Sequence, residues 1–395
     1  MMSPAELWYR AKKLYAIYPG FRAPVSGGFL AEHYAARRRE RGLVRALLDA
    51  AVGSAFWLWV PVRAGRVQRR LGLDAAWRRK ATAIARARFA DPQDIALFRI
   101  EHADELDGYI RRFEDAALNK RINPLGWQPS CALGDKIRFY ERCVRHGLRH
   151  PAVVATVAAG SVQLRADIEG PLLLKPARGE GGRGVRFLDP PAVGARAWLE
   201  AVCRDLGDGS WLVQERIVPH ESLHDLALNA LPTARVTTIL NERDEPEVVS
   251  AVLRIPSDPA AHVDNMKAGG LLSPIDLDTG ALGLACQGYG GGDYHHHPVT
   301  GATIPDRNVP DWAAAKALAI HAHADAFRDY ALVGWDVGFA PDGPVLIEGN
   351  GKPGVLMPQR AGRRGLGGQR YGELLALQLA RKATRRRNKS VAVNR

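Results

Sequence analysis

The stretch Val333-Gly-Trp-Asp-Val-Gly-Phe-Ala-Pro-Asp-Gly-Pro-Val-Leu-Ile-Glu-Gly-Asn350 decides how this chain is read. Two apolar runs flank Pro341-Asp342-Gly343, the pattern of a β-hairpin with a short loop. Glu348 and Asn350 are two positions apart, so on a strand they share a face. A three-residue loop over 341–343 pairs Ala340 with Pro344 and sets Asp336 opposite Glu348. Like charges directly opposite destabilise a sheet. Two carboxylates and an amide oxygen on one face therefore point to a cation between them, and hard oxygen donors favour Mg²⁺, Mn²⁺ or Ca²⁺ over zinc. A two-residue turn shifts the register by one and puts Asp336 on the other face. A solvated hairpin with incidental charges is the competing reading.

Outward from the hairpin, the chain of 395 residues is 46% apolar, enough for a substantial core in two or three structural units. The net charge of +13 is unevenly spread. Residues 1–90 carry 18 Lys+Arg against 5 Asp+Glu, and residues 381–395 carry 7 against none. The body between them is mildly acidic, which argues against a nucleic-acid-binding core. Cys131, Cys143, Cys203 and Cys286 form no C-x-x-C pair, so neither a disulfide framework nor structural zinc is indicated, and a reducing cytoplasm fits. The start, Met-Met-Ser-Pro-Ala-Glu-Leu-Trp, lacks the sections of a secretory signal.

Residues 1–128 read as a mainly helical, basic region. Within it, Gly42–Val62 is apolar and near spanning length, but contains Arg45 and Asp49 and closes on Pro61-Val62 between basic clusters. Three readings stand: a helix packed on the protein, an interfacial helix with Trp57 and Trp59 at headgroup level, and a spanning helix, which the two charges disfavour. From Ala132 short strands alternate with helices: 152–156, 171–174, 211–214, 234–240 and 247–253, then the hairpin, with helices over 311–330 and 372–381. Hairpins in this mixture indicate α+β rather than a doubly wound parallel sheet. The tail from Arg381 reads as a disordered basic extension. His295-His296-His297 reads as a polar loop, and His321 and His323 as structural.

Residues 171–186, Pro-Leu-Leu-Leu-Lys-Pro-Ala-Arg-Gly-Glu-Gly-Gly-Arg-Gly-Val-Arg, set Lys175 at the end of a buried strand before a glycine-rich loop. A dinucleotide-binding loop needs a helix next, yet Val185–Leu188 reads as a strand. A protein kinase places its lysine after the loop, and a Walker A loop needs Gly-Lys-Ser/Thr. What remains is a strand–loop–strand flap whose N–H groups can cover phosphates, or a plain flexible hairpin.

The order Lys136, Lys175, glycine loop, Trp211–Ile217, Arg235, Arg254, Asn265, Asp336, Glu348 and Asn350 resembles the ATP-grasp superfamily, over about residues 132–379. Ala234-Arg-Val-Thr-Thr, Val263-Asp-Asn-Met-Lys-Ala-Gly-Gly and the hairpin look closest to its sugar-transfer-associated, α-L-glutamate-ligase-related branch. The resemblance implies an ATP-grasp fold: an N-terminal subdomain at 129–213 and a C-terminal one at 214–380 gripping ATP, with 381–395 as tail. It implies that Lys136 and Lys175 contact phosphates, that Gly181 and Gly182 close over them, and that Gln214, Glu215 and Ile217 hold adenine and ribose. Asp336, Glu348 and Asn350 would bind Mg²⁺ or Mn²⁺, and Arg254, Arg235 and Asn265 would act near the transferred phosphate. Arg235 is equally read as an ion-pair partner of Glu215 or another strand charge.

The expected activity is an ATP-dependent carboxylate–amine (or carboxylate–thiol) ligase working through an acyl phosphate on small-molecule or glycoconjugate substrates. The expected setting is the cytoplasm, with peripheral membrane contact through 42–62 and no nucleic-acid partner. A phosphotransferase, or a membrane-associated ATP-binding protein without ligase activity, are the alternatives.

Overall fold

The computed structural model describes residues 28–179, 181–260, 264, 266 and 269–393. Asn265 and the first 27 residues lie outside the described residues. The fold is α+β, with two antiparallel sheets and a helical N-terminal region.

The first sheet contains β1 (Val153–Ala158), β2 (Ser161–Leu164), β3 (Leu172–Pro176), β4 (Arg186–Leu188) and β5 (Ser210–Glu215), in the order β2-β1-β5-β3-β4. One face packs Val154, Leu172, Leu174 and Val213 against Leu199 and Cys203 of the Ala195–Arg204 helix. Strand alternation therefore sends Leu173, Lys175, Leu212 and Gln214 to the other face.

The second sheet contains β6 (Thr233–Leu240), β7 (Pro246–Ile255), β8 (Leu271–Pro274), β9 (Ala285–Gln287), β10 (Asp293–Tyr294), β11 (Leu332–Ala340) and β12 (Gly343–Asn350), in the order β10-β9-β8-β7-β6-β11-β12. Val333, Trp335 and Val337 pack on Ala315 and Ala319 of the Trp312–His321 helix, leaving Gly334, Asp336 and Gly338 on the opposite face. Past His321 the expected helix becomes a π-helical turn over Ala322–Ala326 and stops at Phe327. His323 bonds Thr238 Oγ1 at 2.7 Å and the Tyr330 carbonyl at 2.9 Å, and burial lowers its pKa to about 4. His297 is likewise buried, with one ring nitrogen 2.7 Å from the Pro256 carbonyl.

The helix expected to close at Pro61-Val62 runs through Pro61, over Leu43–Leu71. Proline removes the N–H that would bond the carbonyl four residues back. That carbonyl, of Trp57, instead accepts from Arg86 Nε at 3.2 Å, and the Arg86 guanidinium stacks 3.7 Å from the Trp57 ring centroid. The helix buries Phe56 and Val60 against Ala81, Ile84, Phe89 and Ile95. The N-terminal region is tied to the second sheet by Asn123, whose Nδ2 donates to the Leu332 and Gly351 carbonyls at 2.8 Å each.

The last helix, expected over 372–381 with a disordered tail behind it, extends over Arg370–Val393. Leu374, Leu375 and Leu379 anchor its first turns, and from Leu374 to Val393 the sequence holds no glycine or proline to stop it.

Candidate functional site: a cleft of paired and unpaired charges

Lys175 sits on the non-core face of β3 and is almost fully buried. Its Nζ donates to the Tyr140 hydroxyl at 3.1 Å and lies 5.1 Å from that ring's centroid. Its pKa is drawn down to about 7, first by burial and then by the charge of Lys136, with Glu348 and Asp336 opposing both. The Tyr140 hydroxyl in turn donates to the Ile347 carbonyl at 2.7 Å, so one chain of hydrogen bonds joins the two sheets. Tyr140 is absent from the sequence reading. It stands four residues after Lys136 on the Lys136–Arg145 helix, hence on the same face, and that spacing was the available signal.

Asp135 caps this helix, accepting from the N–H groups of Ile137 and Arg138 at 3.2 and 3.3 Å. Lys136 follows at the first turn. Its Nζ donates to the Gly179 carbonyl at 3.1 Å and lies 3.9 Å from Glu348 Oε1. The glycine loop thus rests beside the hairpin carboxylate. β3 and β4 pair antiparallel, Leu174 with Arg186, giving the expected strand–loop–strand flap. Gly181 and Gly182 have φ of 76° and 72°, in the left-handed region where a side chain is disfavoured.

On the second sheet Asp336 pairs with Glu348, as the sequence reading requires, but by another route. Ala340 pairs with Gly343, so the loop is two residues, not three, and alone would put the carboxylates out of phase. A β-bulge at Ile347 inserts one residue opposite Asp336 and restores the phase. The carbonyl of that bulged residue is the one Tyr140 binds. Between Glu348 and Asn350, a Cβ on Gly349 would lie 2.6 Å from Leu133 Cδ2, so this position seats tightly on the core.

Asp336 is buried and its carboxylate is occupied. Arg235, directly opposite on β6, donates through Nε at 2.5 Å and Nη2 at 3.2 Å, and Arg254 donates at 3.0 Å. Burial acts to raise its pKa, but the two guanidinium groups prevail and hold it below the usual carboxylate range. Protein cations therefore answer much of the charge that the sequence assigns to a metal, and Arg235 takes its ion-pair reading, with Asp336 rather than Glu215 as partner. Arg254 also reaches Thr233 Oγ1 at 2.5 Å and Asp264 at 3.3 Å. Asp264 accepts from the Thr233 N–H at 3.0 Å, and its pKa is raised by burial against the pull of Arg254. Thr233 and Asp264 are further residues that sequence reasoning missed; nothing local marks them.

Gln214 shares the face of Lys175, and its buried Oε1 has no hydrogen-bond partner. Glu215 falls on the other face, with its carboxylate accepting from the Ala152 N–H at 2.7 Å. Ile217, half-buried, lies in the segment leading from the first sheet to the second. The structure thus brings together Lys136, Lys175, the glycine loop, Arg235, Arg254, Asp336 and Glu348, and leaves Glu215 turned aside.

Glu348 is partly exposed with Lys136 beside it, and the buried Asn350 Nδ2 has no hydrogen-bond partner. A flip of that amide presents an oxygen at the same place. These two side chains fit a hard divalent cation, whereas Asp336 can join only by sharing its oxygens with the arginines. Among the described residues no group of three or more His, Cys, Asp or Glu side chains is arranged to hold a metal.

Two antiparallel sheets, with a glycine flap on one and a carboxylate hairpin on the other, are the arrangement expected from the resemblance to the ATP-grasp fold. Residues 204–371 match the model of the family described as sugar-transfer associated ATP-grasp. The segment contains Arg235, Arg254 and the hairpin, but neither Lys136 nor Lys175. No curated protein sequence matches the chain. Similar solved structures include an ATP complex of a D-alanine–D-alanine ligase from Bacillus anthracis (12% identity, 66% of this chain and 70% of that one, TM-score 0.38). An L-amino acid ligase from Bacillus licheniformis is also similar (14%, 61% and 50%, TM-score 0.35), as is the VanG D-Ala:D-Ser ligase from Enterococcus faecalis (15%, 64% and 62%, TM-score 0.37).

Proposed function

We propose that the chain is an ATP- and Mg²⁺-dependent ligase that joins a carboxylate to an amine or thiol. The observation that carries this reading is the meeting of Lys136, Lys175 and the glycine loop with Glu348 and Arg254. Phosphoryl transfer needs charge neutralisation and positioning more than a covalent nucleophile, and this set offers both. A substrate carboxylate oxygen attacks the γ-phosphorus, the bond to the β,γ-bridging oxygen breaks, and ADP leaves. The amine then adds to the acyl phosphate carbon, inorganic phosphate leaves, and the amine proton is lost to solvent. Lys136 and Lys175 hold the phosphates, and Arg254 faces the charge that develops in transfer. Gln214 and Ile217 flank the base, and Gly181 and Gly182 shield the intermediate from water. Mg²⁺, held by Glu348 and Asn350, would neutralise phosphate charge.

Residues 129–213 and 214–380 are the two halves of the grip in this reading. The family's description supports a sugar-linked or glycoconjugate substrate, and the ATP requirement supports a cytoplasmic setting. Calorimetry of Mg²⁺-ATP binding tests the site; no binding sinks the proposal. A mass-spectrometric screen of carboxylates with amines tests the chemistry. An ADP-coupled amide or thioester is expected, whereas ADP with a stable phospho-product and no condensation would select a phosphotransferase.

A further inference from the structure

The Leu43–Leu71 helix has two faces of opposite use. Asp49, Gly53, Phe56, Val60, Ala64 and Val67 are buried against the protein. Leu43, Val44, Leu47, Leu48, Leu58 and Val62 are exposed, Leu43 by 85% and Leu47 by 71%. At about 100° per residue, these six fall within an arc of about 140°, and 20 residues make a stripe about 30 Å long. The smaller exposed residues Ala51, Ser54 and Ala55 fall in the same arc. The two charges that the sequence sets against a membrane role lie elsewhere: Asp49 faces inward, paired with Arg41 and Arg45 at 3.4 and 3.2 Å. The exposed stripe therefore carries no acidic group. Arg39 and Glu40 stand exposed before it, and Arg66, Arg69 and Arg70 stand exposed after it. Trp57 is not a headgroup anchor, because it packs beneath Arg86.

We propose that this face docks on an anionic lipid bilayer, with the helix lying in the interface plane. The helix is long and apolar enough to cross a membrane, but its other face is committed to the core built with Ala81, Ile84 and Phe89. An apolar stripe running into three exposed arginines matches acyl chains beneath anionic headgroups. A second copy of the chain is a poorer occupant. Antiparallel pairing of two such helices would bring Arg39 and Glu40 against Arg66, Arg69 and Arg70, one acid against four cations.

The test is vesicle flotation of the full chain. Expected is partition onto phosphatidylglycerol-containing vesicles that is about tenfold weaker on pure phosphatidylcholine and falls with salt. The double variant Leu47→Asp/Leu58→Asp should lose about tenfold or more of this binding, while its circular-dichroism melt and Mg²⁺-ATP binding stay unchanged. Replacing Arg66, Arg69 and Arg70 by Glu should remove the salt-dependent part and keep the fold. Equal partition of wild type and double variant overturns the proposal, as does no partition at all. A dimer in sedimentation velocity that the double variant splits, without vesicle binding, assigns the face to a second copy instead.

Discussion

The two sheets handle buried charge in opposite ways. On the second, Asp336 faces Arg235 and Arg254, and Arg254 faces Asp264 as well, so anions and cations are matched within the protein. On the first, Lys175 is buried, donating to a tyrosine hydroxyl, with another lysine as its strongest charged neighbour. A matched set is complete by itself. A buried cation with its pKa drawn down to about 7 is a position that an anion from outside would stabilise. In the proposed function the second sheet is then a pre-set frame and the first a receptor for phosphate.

Asp336→Asn tests the frame, with the largest expected effect. Asparagine keeps the size but removes the charge that two buried guanidinium groups share. Breaking a buried pair on one side costs about 3–5 kcal/mol, so the urea midpoint should fall sharply. If stability barely moves while Mg²⁺ affinity collapses, the carboxylate belongs to the cation and the frame reading is broken.

Lys175→Met tests the receptor and should behave oppositely. Losing a charged hydrogen bond to phosphate costs about 1.5–3 kcal/mol, a ten- to hundredfold drop in ATP affinity by calorimetry. The urea midpoint should hold or rise, because the variant relieves a desolvated charge. A destabilised protein with unchanged ATP affinity would reverse the assignment of the two sheets.

Tyr140→Phe cuts the hydrogen-bond chain between the sheets. The bulged Ile347 carbonyl loses its side-chain donor and Lys175 its acceptor, at a cost of about 1–2 kcal/mol in stability. No change in the melt would mean that water replaces the hydroxyl and the link is incidental.

β1, β3, β4, β5, β6, β7, β11 and β12 were legible in the sequence as short apolar runs bounded by turn residues, so Trp211–Gln214 was expected and Ser210–Glu215 is found, whereas β2, β8, β9 and β10 carry no such run and were not expected. The hairpin shows where that legibility ends. The pairing of Asp336 with Glu348 was inferred from a three-residue loop, yet it arises from a two-residue loop plus a bulge. Periodicity cannot reveal a bulge whose freed carbonyl is satisfied by a tyrosine 207 positions earlier in the chain. The cation inferred from opposed carboxylates was similarly answered by Arg235, a neighbour only because β6 and β11 pair across about a hundred residues. Lys175 was readable because it directly precedes a glycine loop, and Lys136 through the family resemblance alone; Thr233 and Asp264 were not, since only the sheet brings them to Arg254.

The smallest expected effect separates a receptor from a merely buried lysine. The Lys175 pKa of about 7 means that near neutral pH the free protein holds this group partly deprotonated. A bound triphosphate favours the charged form, so binding above that pKa must take up a proton. The sign follows: affinity is highest below pH 7 and declines as pH rises through it. With the bound lysine fully protonated, ATP should bind about fivefold more weakly at pH 8 than at pH 7, within the tenfold that one pKa unit allows. Calorimetry in two buffers of different ionisation enthalpy would read the proton uptake directly, and Lys175→Met should abolish it. Proton uptake that survives the substitution would have to come from another group, and the unpaired cation of the first sheet would then be a feature of packing rather than of recognition.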